Sequence, residues 1–93
     1  MQNPFDELIV MIHETQTLVN KRLTQSPNYE PYKHTATQLE IILDQATRQH
    51  IPTLDEYKKI DLGIMCAKTL EQKDPELADL IYKVLEIYDK IVV

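Results

Sequence analysis

Leu62-Gly63-Ile64-Met65-Cys66-Ala67-Lys68-Thr69-Leu70-Glu71-Gln72-Lys73-Asp74-Pro75-Glu76-Leu77-Ala78-Asp79-Leu80 decides the fold: it reads as a helix end, a sharp acidic turn and a new helix start. Asp74 suits an N-cap, because a short carboxylate accepts from the free N–H groups of a first helical turn. Pro75 suits the first helical position, where its missing N–H is not needed. Glu76 and Asp79 then set negative charge at the positive end of the helix dipole. Before the turn, Ile60, Ile64, Ala67 and Leu70 recur at spacings of three and four, which predicts a helix burying that stripe. Gln72 and Lys73 remain for the loop, and so short a connection makes the two helices antiparallel neighbours. Gly63, the only glycine of the chain, falls inside the earlier helix at a cost of about 1 kcal/mol relative to alanine. A close backbone crossing is the expected reason.

The same capping grammar extends outward. Asn3 and Pro4 open a first helix, with Asp6 and Glu7 in its first turn and Phe5, Leu8, Ile9, Ile12, Val19 and Leu23 as its buried stripe. Lys21 and Arg22 favour its C-terminal end, and Pro27 stops it near Gln25 by holding Ser26 extended. A second helix is expected from Tyr29 or Glu30, with Tyr32, Ala36, Leu39, Ile42, Leu43 and Ala46 inward and Ile51-Pro52 as its breaker. Thr53-Leu54-Asp55-Glu56 is a capping box that starts the third helix. The fourth runs from Pro75 with Leu77, Leu80, Ile81, Val84, Leu85, Tyr88 and Ile91 inward. Four helices, short loops and no strand signal predict an all-α, up-down four-helix bundle, one domain over residues 1–93.

Composition narrows the function. A formal net charge of −5 argues against nucleic acid, whose phosphates demand clustered Lys and Arg, and suits a basic or anion-binding partner. Cys66 is alone, so no internal disulfide is expected. No secretory signal or apolar run of transmembrane length is read in the chain, which predicts a cytoplasmic protein without a membrane partner. The pattern leaves homo-oligomerisation open.

An enzyme needs a nucleophile, a base or a metal constellation. Cys66 reads as small apolar filler beside the stripe of the third helix. His13, His34 and His50 lie on different segments, and no pair has the i, i+4 spacing of a metal site. With one glycine there is no phosphate-cradling loop. No catalytic set, metal site or cofactor is expected. Tyr57, Tyr82 and Tyr88 fit core or core-edge positions, whereas Tyr29 and Tyr32 stand at a proline-punctuated helix start where an amphipathic ring serves equally for packing or as an interface anchor.

The run Leu62-Gly63, Lys68, Glu71 and Asp74-Pro75-Glu76-Leu77 resembles the signature of immunity proteins that neutralise NAD(P)+ glycohydrolase effectors of the bacterial type VI secretion system. Upstream, Val19, Arg22-Leu23, Pro27, Tyr29-Glu30 and Gln38-Leu39 follow a similar pattern, so that the resemblance extends roughly from Leu8 to Tyr88. It implies a non-enzymatic protein that plugs a cognate effector toxin. A cleft that recognises a dinucleotide pyrophosphate generally offers positive potential, for which carboxylates are suitable blockers. Glu71, Asp74, Glu76 and Asp79 are therefore the candidate toxin-binding residues, with Tyr29 and Tyr32 as anchors. A helical adaptor, or immunity to a different nucleotide-directed toxin, is the alternative.

Overall fold

The computed structural model describes residues 3–92. Helix α1 spans Pro4–Gln25 and starts at the expected cap, the Asn3 side chain accepting from the Phe5 N–H at 2.8 Å. Leu8, Ile12 and Val19 are buried along it, and Thr15 completes the stripe by turning its hydroxyl onto the Met11 carbonyl at 2.7 Å. That internal bond satisfies a polar group the core would otherwise leave unpaired.

Helix α2, Glu30–Thr47, buries Tyr32, Leu39, Ile42 and Ala46. It ends before Ile51-Pro52. Gln49 takes a left-handed φ of 53°, the His50 N–H returns to the Gln45 carbonyl at 2.8 Å and the Gln49 N–H to that of Ala46 at 3.1 Å. This is a Schellman ending built on glutamine where glycine is usual.

The third arm departs from its expected course. Helix α3 is only Leu54–Lys58, started by the full Thr53/Glu56 capping box and burying no residue of its own. The chain breaks over Lys59–Asp61 and re-enters as α4, Leu62–Met65, which runs into a π-helical turn, Cys66–Leu70, and then α5, Glu71–Lys73. Neither glycine nor proline marks the break. Gln38 of α2 holds it instead, donating to the Lys59 carbonyl at 2.9 Å and accepting from the Asp61 N–H at 2.9 Å, so both free main-chain groups are paired by one buried side chain.

The expected stripe is corrected accordingly. Ile64 is 63% exposed, Ala67 is exposed and Ile60 is half-buried. Leu62, Cys66 and Leu70 face the core. These three and the buried Asp74 follow one another at steps of four. In a plain α-helix each such step drifts by about 40°, and three steps carry the last position about 120° round the axis. The π turn, closed by the Glu71 N–H on the Cys66 carbonyl, is wider and takes up that drift. The loop is shorter than expected too, since Gln72 and Lys73 are helical and Asp74 alone separates α5 from α6. Gly63 meets no backbone: a Cβ placed on it would have the Leu85 Cδ1 atom at 3.4 Å as its nearest neighbour, so the close crossing expected there is absent.

Helix α6, Pro75–Val92, buries Leu77, Ala78, Ile81, Val84, Ile87 and Tyr88. Helix α1 packs between α2 and α6, and α6 in turn packs on α4, the π turn and α5. The result is the all-α four-helix bundle read from the sequence, with its third arm in two pieces. Among the described residues no helix is long and apolar enough to cross a membrane.

Candidate functional site

Asp74 lies where α1, α2, α5 and α6 meet. Its backbone N–H closes the helix behind it on the Leu70 carbonyl at 2.8 Å, and its carbonyl opens the helix ahead through the Ala78 N–H at 3.0 Å. Its side chain caps α6 through the Leu77 N–H at 3.4 Å. At 6% exposure so charged a group requires further partners. Arg22, in the last turn of α1, supplies them through Nε at 2.8 Å to Oδ2, with the outer guanidinium nitrogen at 3.5 Å from Oδ1. The Tyr32 hydroxyl donates to the same Oδ2 at 2.9 Å. Burial pushes the Asp74 carboxyl upward, but the bonds from Arg22, Tyr32 and the Leu77 N–H outweigh it and hold the group below the usual carboxylate range. It stays ionised, and Arg22 is held protonated by the same pair.

The six candidate residues therefore divide. Tyr32 and Asp74 point into the protein and are bonded to each other. Glu76 is out in solvent, its side chain 71% exposed, while one oxygen accepts from Arg22 at 2.8 Å. Glu71 and Asp79 are exposed. They share a neighbourhood across the hairpin, for both add negative field to the Cys66 thiol, whose pKa is raised first of all by burial. Tyr82 is pushed up to about 12, by burial and then by Cys66 and Glu71. Tyr29 is half-buried, set edge-to-face on Tyr32 at 4.8 Å with the Lys73 ammonium 4.8 Å above its ring. The corner thus presents Glu71, Glu76, Asp79 and part of Tyr29 outward, on a base fixed by Tyr32, Asp74 and Arg22.

Arg22 is the member that sequence reasoning assigned only to a helix dipole. The available signal was chemical: a capping Asp at a crowded corner needs a cation, and a planar guanidinium is the group that can hold a carboxylate at two points. Cys66 is fully buried, with Sγ 3.8 Å from the Ala78 carbonyl. His34 pairs with Asp61 and His50 with Glu56, so each histidine ties α2, or the turn that ends it, to the third arm. No group of three or more His, Cys, Asp and Glu side chains that could hold a metal ion occurs among the described residues.

The model of the Tsi6 family matches residues 7–90. This chain belongs to the Tsi6 family. Tsi6 proteins are immunity proteins of type VI secretion, and the match runs from the first turn of α1 to near the end of α6 and covers the whole acidic corner. No curated protein and no solved structure matches.

Proposed function

We propose that this Tsi6-family chain is a cytoplasmic immunity protein that binds the toxin domain of its cognate effector, an NAD(P)+ glycohydrolase, and stops it by one-to-one occlusion of the active site. The observation that carries the reading is the family match across residues 7–90. The protein acts by binding and has no turnover of its own. Occlusion demands a tight complex, about −12 kcal/mol for a nanomolar dissociation constant. An interface of about 800 Å² per partner can supply it, roughly a seventh of the 5782 Å² surface.

The outward carboxylates of Glu71, Glu76 and Asp79, with Tyr29 at their edge, are the proposed contact with the positive cleft that holds the dinucleotide pyrophosphate. Asp74 and Tyr32 serve that contact from beneath by fixing the hairpin. The test uses the purified chain and the toxin domain encoded beside it. NAD(P)+ consumption should fall in proportion to added protein and reach zero at one equivalent. Turnover that persists at tenfold excess overturns the reading.

A further inference from the structure

Away from the acidic corner, α2 and the start of α3 enclose a groove of about 400 Å³ lined by Glu40, Ile41, Asp44, Gln45, Arg48 and Glu56. Its features ask for different things from an occupant. Ile41 is 43% exposed and offers an apolar floor. Of the charges, Arg48 is drawn onto Asp44 through two nitrogens, at 2.7 and 3.1 Å from one oxygen. Glu40 makes no ion pair among the described residues, and Glu56, whose Oε1 accepts from the Thr53 N–H and meets His50, keeps its other oxygen for the groove and is held ionised, its pKa lowered to about 2 by the Thr53 N–H and then by His50.

Gln45 is the independent feature. It is only 5% exposed, its Oε1 accepts from the Tyr88 hydroxyl at 2.8 Å, and its amide NH2 makes no hydrogen bond to any described residue. No sealed side-chain nitrogen or oxygen lacks a partner among the described residues, so this donor opens outward, and the groove is the opening that Gln45 lines. An amide held in place by Tyr88, with its donors open to the groove, suits a carbonyl. The carboxylates call for a cation, and Ile41 for methylene groups. A polypeptide segment bearing Lys or Arg provides all three, since the long stem of such a side chain covers apolar surface while its head stays with the charges.

We propose that the α2–α3 groove is a second contact for the effector and seats a basic loop of its toxin domain, a Lys or Arg head lying by Glu40 and Glu56 while a main-chain carbonyl of the loop accepts from the Gln45 amide. The proposal rests on the immunity reading above. Thirteen residues of α2 separate Tyr32 from Gln45, about 20 Å along the axis and about 140° around it, so the loop reaches the groove by wrapping around α2 from the corner. The two contacts divide the labour: exposed corner charges govern the rate of encounter, and a desolvated groove governs how long the complex lasts.

The experiment compares the parent chain, the double variant Glu40→Lys with Ile41→Lys, and a control Glu14→Lys on exposed α1, each titrated into the purified toxin domain. Binding and NAD(P)+ turnover are both measured. Thermal unfolding of the free proteins checks that the double variant, changed only at exposed positions, folds as the parent does. A groove contact predicts a complex at least about thirtyfold weaker for the double variant, the scale of a hot spot, with the loss mainly in the off-rate and the control unchanged. It also predicts that the Gln45 side-chain amide resonances of the parent shift on complex formation. If the parent inhibits and the double variant binds within threefold of it, the groove is overturned while the immunity reading stands. If the parent neither binds nor inhibits, the immunity reading itself fails and the groove contact falls with it.

Discussion

The Tyr32 hydroxyl donates to Asp74 Oδ2 at 2.9 Å, and Arg22 Nε donates to the same oxygen at 2.8 Å. One carboxylate thus joins the end of α1, the start of α2 and the α5–α6 corner. Losing any partner leaves buried polar atoms behind, so the cost exceeds that of an exposed ion pair. Tyr32→Phe should lower stability by about 2 kcal/mol, the scale of a hydrogen bond to a charged group. Arg22→Met should cost more, because it strands the buried carboxylate. Urea unfolding midpoints check both, and an Arg22→Met variant as stable as the parent would contradict the clamp.

The acid limb of the stability profile follows from the same group. Asp74 has a folded pKa below its ordinary value, so its contribution is whole above the unfolded value of about 3.9. It is lost as the pH falls through the lowered folded value, when the native state must take up a proton it resists. Glu56 behaves alike, losing its contribution between 4.5 and about 2. Urea midpoints measured from pH 6 to pH 2 should fall steeply below about pH 4. An Asp74→Asn variant should begin lower and fall less.

Gln49 carries a left-handed φ of 53° at the end of α2, a conformation that costs a side-chain-bearing residue about 1 kcal/mol. Gln49→Gly should therefore raise stability by up to about 1 kcal/mol, reversing the usual sign for glycine. A lowered thermal midpoint would show that the Gln49 side chain does more for the fold than its backbone angle costs.

At Gly63 the nearest atom to an added Cβ is a flexible Leu85 methyl at 3.4 Å. Gly63→Ala should be neutral or stabilising, by up to about 1 kcal/mol from helix propensity alone. A loss greater than 1 kcal/mol in chemical denaturation would mean that Leu85 has no room to give.

At the corner, Glu71→Lys combined with Asp79→Lys alters two exposed residues outside the clamp. Stability should stay within about 1 kcal/mol of the parent. Association with the toxin domain should slow, by a factor that shrinks as salt is added, since exposed charges act over about 10 Å at 0.1 M ionic strength. If the double variant protects cells as the parent does, the corner carboxylates take no part in binding.

Helix starts were legible in the sequence wherever a cap is local chemistry. Asn3-Pro4, Thr53 to Glu56 and Asp74-Pro75 each open a helix where their side chains dictate. The Lys59–Asp61 break was not legible, because what holds it is Gln38, more than twenty residues earlier in the chain. The inward face of the third arm was misassigned for a related reason. A period of 3.6 selects Ile60, Ile64, Ala67 and Leu70, of which only Leu70 is buried, while the π turn lets Leu62 and Cys66 share the core face with it. At the candidate site, Asp74 could be read as a cap, but its bonds to Arg22 and Tyr32 span 52 and 42 residues, beyond the reach of any local pattern.

The π turn at Cys66–Leu70 also bears on how this protein compares with its relatives. Such a turn is in effect an α-helix with one residue inserted, the surplus bulging outward, and here Ala67 and Lys68 are the exposed residues of the turn. A relative one residue shorter at that point keeps its helix and loses only the bulge. Its gap in an alignment would fall inside a helix instead of a loop, and the residues on either side of the gap would keep their faces, because the bulge alone absorbs the extra residue. Such a homologue would keep the same core and aim its equivalent of Glu71 as here, so the acidic corner tolerates a one-residue difference in the length of the arm that leads to it.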